Sequence, residues 1–71
     1  MDIKNIIDLY GFNDYYEMST GRLYELSNIS YDPIRKISTI PVLQQNGEDG
    51  KYYQIGNIQI PGNIKEEMGS R

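Results

Sequence analysis

The amino-acid sequence predicts an α+β fold: a short N-terminal helix packed on a four-stranded antiparallel β-meander, which could curl into a small, partly open barrel. Apolar residues first recur at helical spacing, and then alternate in short runs rich in β-branched and aromatic residues, separated by turn clusters. A chain of 71 residues suffices for one small domain. We expect this domain to span residues 1–68, with residues 69–71 as a disordered tail.

The predicted helix begins after Asp2, a favourable N-cap residue, and ends at Gly11, where a left-handed residue commonly closes a helix. Residues at i, i+3, i+4 and i+7 form its apolar face, namely Ile3, Ile6, Ile7 and Tyr10. A helix of this length is unstable alone, so it must dock on the sheet. Leu9 and Phe12 are expected to complete that contact.

A first β-hairpin is predicted around a three-residue loop, Ser19 to Gly21. Pairing Met18 with Arg22 divides the flanking side chains between two faces, because neighbours along a strand point in opposite directions. The buried face would then carry Tyr16, Met18, Tyr24 and Leu26. The opposite, solvent-facing side would carry Tyr15, Glu17, Leu23 and Glu25.

A second hairpin is predicted between residues 37 and 60, with the turn cluster 46–50 at its tip. Asp32-Pro33 is typical of a type I turn leading into its first strand, 36–43. Pro41 cannot donate a ladder hydrogen bond, so this strand is expected to be an edge or to be bulged there.

Pairing Gln45 with Lys51 gives a regular last strand in which Tyr53 and Ile55 point to one face and Ile58 and Ile60 to the other. A β-bulge at Gly56 would bring them to one face, namely Tyr53, Ile55, Ile58 and Ile60. After Pro61-Gly62, the segment 63–66 has the form of a capping box, which predicts a helical turn through Met68.

Composition narrows the classes of function. The chain has no cysteine and no histidine, which excludes disulfides and makes zinc or other soft-metal sites improbable. We expect no cofactor, no metal and no enzymatic activity, because histidine and cysteine are missing. A Ser–Lys pair or two carboxylates would need a cleft, which so small a domain seldom encloses. The segment 46–50 lacks the ligand spacing of a calcium loop.

Seven of the eight aromatic residues are tyrosines, and tyrosine is enriched at protein interfaces. We therefore expect a small non-catalytic protein-binding module, accessory or inhibitory, that binds through a tyrosine-bearing sheet surface. The candidate partner-binding residues are Tyr15, Glu17, Tyr52, Tyr31, Arg35 and Lys36. An exposed edge strand that recruits a partner by strand addition is a related possibility.

Two other classes of function stay open. Arg35, Lys36 and Tyr31 could bind single-stranded nucleic acid, although residues 1–32 carry six acids against two bases and repel phosphate backbones. That acidic half could instead mimic nucleic acid toward a protein partner. The chain could also be a structural subunit of a homo-oligomer.

No signal peptide or spanning segment is recognisable, so a cytoplasmic protein is expected, and the bias toward AT-rich codons suggests a bacterial or phage genome.

Overall fold

A computed structural model describes residues 2–69 of the chain. The elements are α1 (Ile3–Tyr10), β1 (Tyr15–Glu17), β2 (Arg22–Tyr24), a 3-10 turn (Leu26–Asn28), β3 (Ser30–Asp32), β4 (Ile37–Gln45), β5 (Tyr52–Pro61) and α2 (Ile64–Gly69). Together the strands form one open antiparallel sheet, with β4 paired to β2 and β3 along one side and to β5 along the other. The α+β class is confirmed. The described sheet has five strands rather than four, and it is not closed into a barrel.

Helix α1 forms as its sequence predicts. The Asp2 side chain accepts a hydrogen bond from the Lys4 backbone N–H at 3.0 Å, and Gly11, at φ 77°, donates its N–H to the carbonyl of Ile7. Three isoleucines of the apolar face are buried, namely Ile3, Ile6 and Ile7. The expectation for Leu9 is wrong, since its side chain is 74% exposed, whereas Phe12 does pack against the core. The helix turns Leu9 away from the sheet because its three isoleucines already occupy the contact.

The first hairpin has a register one residue away from the predicted one. Tyr15 pairs with Tyr24 and Glu17 with Arg22, so the loop has four residues and includes Met18, which is 87% exposed. The Gly21 N–H closes this loop on the Glu17 carbonyl at 2.8 Å. A slip of one residue moves every side chain of the slipped strand, here β1, to the other face of the sheet. The prediction that Tyr16 and Met18 are buried is therefore wrong.

Strands β2 and β3 run along the same side of β4 as one interrupted strand, and Pro41 lies opposite the interruption. The Pro41 carbonyl accepts the Glu25 N–H at 3.0 Å, but Pro41 has no N–H to return to the Glu25 carbonyl. That carbonyl instead accepts the Asn28 N–H at 3.1 Å, which closes the 3-10 turn. The edge alternative for this strand is wrong, because β4 pairs on both sides. The missing N–H of Pro41 is accommodated by an interruption of the ladder opposite it, while the register shift toward β5 lies at Val42/Leu43.

The bulge predicted at Gly56 is confirmed. Val42 pairs with Gly56 and Leu43 with Gln54, so Ile55 is the extra residue on β5. The turn between β4 and β5 spans 46–51, because Gln45 pairs with Tyr52 rather than with Lys51. The bulge places the apolar side chains of β5 on the helix side of the sheet, as predicted, namely Tyr53, Ile55, Ile58 and Ile60. Two of these are half-exposed, since α1 covers only the other half of the strand.

Helix α2 is joined to the sheet through Ser38. This fully buried hydroxyl donates to the Gly62 carbonyl at 2.6 Å and accepts the Ile64 N–H at 3.1 Å. The predicted capping box is present, since Asn63 accepts the Glu66 N–H and donates to the Glu66 carboxylate. The core between helices and sheet consists of Ile3, Ile6, Ile7, Tyr24, Leu26, Ile40, Val42 and Ile64. Gly69 ends α2, and the remainder of the predicted tail, 70–71, lies outside the described residues.

Candidate protein-binding surface

Both helices pack on the same side of the sheet, and the opposite side has no covering element within residues 2–69. Ser38, Ile40 and Val42 of β4 are buried on the helix side, so the alternating residues point away from the helices. We call the opposite side the outer face. Register places these side chains on it: Tyr16, Leu23, Ser30, Asp32, Ile37, Thr39, Pro41, Leu43, Gln45, Tyr52, Gln54, Asn57, Gln59 and Pro61.

A row of large side chains crosses the outer face. Tyr16 pairs with Leu23, Leu23 with Leu43, and Leu43 with Gln54, so that four strands each contribute one residue at the same level. Tyr52 lies diagonally beside the β5 end of this row, two residues from Gln54. Tyr16 is 45% exposed and Tyr52 is 39% exposed, while Leu23 and Leu43 are half-buried between them. The row can therefore present two aromatic rings over an aliphatic base.

The outer face carries almost no charge. Among its strand residues, Asp32 alone is charged at neutral pH, and its carboxylate accepts the backbone N–H groups of Ile34 and Arg35 at 3.0 and 3.3 Å in the turn after β3. The centre of the face combines aliphatic and tyrosine side chains with amides. Such a surface suits burial against another protein more than contact with phosphate groups.

Two of the candidate residues lie on the helix side. The ring of Tyr15 packs between those of Tyr10 and Tyr24, with centroids 5.9 and 6.2 Å away. The Glu17 carboxylate accepts hydrogen bonds from Thr20 Oγ1 at 2.6 Å and from the Tyr24 hydroxyl at 3.4 Å. Their predicted outward orientation is wrong because of the register shift, and both side chains make contacts that shape the first hairpin.

The remaining candidates are divided between the two ends of the sheet. Tyr52 is on the outer face, as predicted. Tyr31 pairs with Ser38 and is half-buried on the helix side, whereas Arg35 and Lys36 are exposed in the turn after β3. Nine residues of extended chain separate Lys36 from Gln45, the partner of Tyr52, or about 30 Å. The structure thus does not bring the basic residues and Tyr52 into one site.

Sequence reasoning missed three residues of the row, Tyr16, Leu23 and Leu43. The sequence predicts Tyr16 on the buried face and Leu23 on the outward face, without a binding role for Leu23. The available signal is the continuous apolar run from Ile40 to Leu43, which is typical of a strand with two apolar faces. A four-residue loop in the first hairpin would then have aligned Tyr16 with Leu23.

The tip of the second hairpin is held by its own side chains. The Tyr53 hydroxyl donates to the Asp49 carboxylate at 2.5 Å, and the Asp49 carboxylate also accepts the Lys51 backbone N–H at 2.9 Å. The Tyr53 hydrogen bond, with a smaller contribution from Lys51, lowers the pKa of Asp49 from its usual 3.8. The same bond raises the pKa of Tyr53 above 10.0. These partners make the tip a structural turn.

Within residues 2–69, no three or more His, Cys, Asp or Glu side chains are grouped so as to hold a metal ion. No helix in this described part of the chain is long and apolar enough to cross a membrane. The sequence matches no family model, and no curated protein and no solved structure is significantly similar to it. The outer face is therefore interpreted from its own geometry.

Proposed function

We propose that this protein is a small, non-catalytic protein-binding module, accessory or inhibitory in role, which binds its partner through the outer face. The observation that supports the proposal is a sheet face with one charged strand residue, not covered by a helix within residues 2–69, with exposed tyrosine rings on a base of half-buried leucines. A cytoplasmic location and a bacterial or phage origin belong to the same proposal. The proposed origin is motivated by the bias of the sequence toward residues with AT-rich codons.

The size of the face is sufficient for a specific complex. The molecule measures 39 × 27 × 17 Å, so its broad side offers on the order of 1,000 Å². A standard interface buries about 800 Å² on each partner. Tyrosine is favoured in the centre of such interfaces, because its ring adds contact area with little loss of side-chain entropy while its hydroxyl can still bond.

The experiment compares two double variants in partner capture and then in binding to the purified partner. Tyr16→Ala/Tyr52→Ala removes both rings from the outer face. Tyr53→Ala/Leu9→Ala is the matched control, since it removes one tyrosine and one large apolar side chain, both exposed on the helix side of the sheet. If one of the two tyrosines is a hot spot of about 2 kcal/mol, the outer-face variant weakens binding at least about 30-fold and the control has little effect.

Circular dichroism of each variant verifies that the fold is retained, which the exposure of all four side chains leads us to expect. Equal affinities for the two double variants would refute the role of the outer face. Binding of short single strands that weakens steeply with salt, and is lost in Arg35→Ala/Lys36→Ala, would instead support a nucleic-acid-binding protein.

A further inference from the structure

Strand β5 is the longest edge of the sheet, and it carries no charged residue. It runs from Tyr52 to Pro61 and, among the described residues, pairs only with β4. Exposed edge strands are usually protected from further pairing by charged side chains or by short length. Ten residues without Lys, Arg, Asp or Glu lack that protection, although the bulge divides the strand at Ile55 and Gly56.

The pattern of hydrogen bonds shows which backbone groups of β5 are free to pair. In an antiparallel ladder the N–H and C=O of a residue point to one side, and neighbours alternate. The Pro41 carbonyl accepts the Glu25 N–H on the side of β4 where β2 and β3 lie. The flanking residues Ile40 and Val42 therefore direct their backbone N–H and C=O groups toward β5. Their partners on β5 therefore point back to β4, and the alternating residues Asn57, Gln59 and Pro61 point to the free edge. Of these, only Pro61 lacks an N–H.

An apolar groove lies beside the same edge on the helix side. It has a volume of about 550 Å³ and is lined by Asp2, Ile3, Lys4, Ile58 and Ile60. Ile58 and Ile60 are only half-buried, although they pack against the core. A neighbouring strand with aliphatic side chains at the same level would cover them.

We propose that β5 pairs antiparallel with β5 of a second copy of this chain, about a two-fold axis at Gln59. In this register, Gln59 of each copy exchanges both backbone hydrogen bonds with Gln59 of the other. Each Asn57 N–H also donates to the Pro61 carbonyl of the second copy. The missing N–H of Pro61 thus falls at the end of the new ladder, where the edge of a strand tolerates proline.

The side chains favour a second copy over an unrelated strand. The register sets Ile58 of one copy beside Ile60 of the other on the helix side, where the two pairs close both grooves. The outer side of the junction carries Gln59 and Asn57, which have no charge to repel their symmetry mates. A two-fold interface requires a patch that is complementary to itself, and this neutral strand meets that requirement.

The test is sedimentation of the full chain over about a hundredfold range of concentration, where mass action separates a dimer from a monomer. Gln59→Glu and Gln59→Lys each place like charges opposite one another at the two-fold axis. We expect each variant alone to dimerise at least about fivefold more weakly than the wild type. Mixing the two variants restores association, because the opposed charges then attract.

The matched control is Gln54→Glu, an exposed residue of the same strand beyond the bulge, which has no opposite residue in this register and leaves dimerisation unchanged. A wild type that stays monomeric at every concentration overturns the proposal. So does a mixture of the two Gln59 variants that associates no better than either alone. The dimer contact lies at the edge of β5 around Gln59, beyond the bulge from Tyr52 and three strands away from Tyr16, so Tyr16→Ala/Tyr52→Ala should dimerise like the wild type.

Discussion

Ser38 is the buried polar residue on which the attachment of α2 depends. Its hydroxyl is fully buried and satisfies two backbone groups distant in sequence, the Gly62 carbonyl at 2.6 Å and the Ile64 N–H at 3.1 Å. Replacement by alanine removes the hydroxyl and leaves both backbone groups without this partner. The Ile64 side chain beside it is also fully buried, so water has little access to replace the hydroxyl.

The cost of Ser38→Ala follows from these two bonds. An intramolecular hydrogen bond contributes about 0.5–1.5 kcal/mol, so the loss of two lowers the free energy of unfolding by about 1–3 kcal/mol. A domain of this length has a total stability of about 4–10 kcal/mol. A central loss of about 2 kcal/mol would lower the melting temperature by about 8–16 °C, given 4–8 °C per kcal/mol in small domains.

Urea and thermal unfolding followed by circular dichroism measure this difference. Ser30→Ala is the control, because Ser30 is exposed on β3 and the same atom is removed there, with an expected change within about 0.5 kcal/mol. If Ser38→Ala also falls within about 0.5 kcal/mol, the reasoning is refuted, and the two backbone groups must be satisfied in another way.

Three further predictions concern turns, core and pH. Gly50→Ala should lower the free energy of unfolding by about 1 kcal/mol, because Gly50 has φ 70°. Gly56→Ala should be neutral or slightly stabilising, because Gly56 has no positive φ and its Cβ would point into open space. Chemical denaturation compares the two variants. Leu26→Ala should cost about 2–5 kcal/mol in the same assay, because Leu26 is fully buried in the core, and a loss below about 1 kcal/mol would contradict that packing. The Tyr53–Asp49 hydrogen bond requires a protonated phenol and an ionised carboxylate, so its contribution is lost as pH falls through the lowered pKa of Asp49 or rises through the raised pKa of Tyr53. In an NMR titration, Asp49→Asn should lower the pKa of Tyr53 toward 10.0, and an unchanged pKa would contradict the assignment.

Features that depend on neighbours along the chain were predictable from sequence. The caps of α1 at Asp2 and Gly11, the bulge at Gly56 and the capping box at Asn63 all occur where their residue types require them. Each depends on a local rule: a side chain that reaches a nearby N–H, a glycine that adopts a left-handed conformation, or a change of phase in an apolar pattern. The outward position of Tyr52 is predicted by the same apolar pattern, which places its neighbour Tyr53 on the helix side.

The candidate site was much less predictable, because it depends on register. One additional loop residue in the first hairpin turned Tyr15 and Glu17 toward the helices and Tyr16 toward solvent. Sequence does not distinguish a three-residue loop from a four-residue loop here, since both can end in Gly21. The energy that selects between them comes from Tyr15 packing against Tyr24 and Tyr10, and those contacts exist only in the folded molecule.

The sequence by itself thus determined the class of fold, the helix ends, the bulge and the apolar phase of each long strand. Tertiary structure alone decided that β4 is central, that a short β3 forms beside it, and that both helices cover the same face. The central position of Pro41 shows why: its missing N–H is tolerated because a distant segment leaves the ladder opposite it. Which backbone groups remain unpaired, and which face remains bare, depends on pairings between residues far apart in sequence. Local propensity carries no information about those pairings.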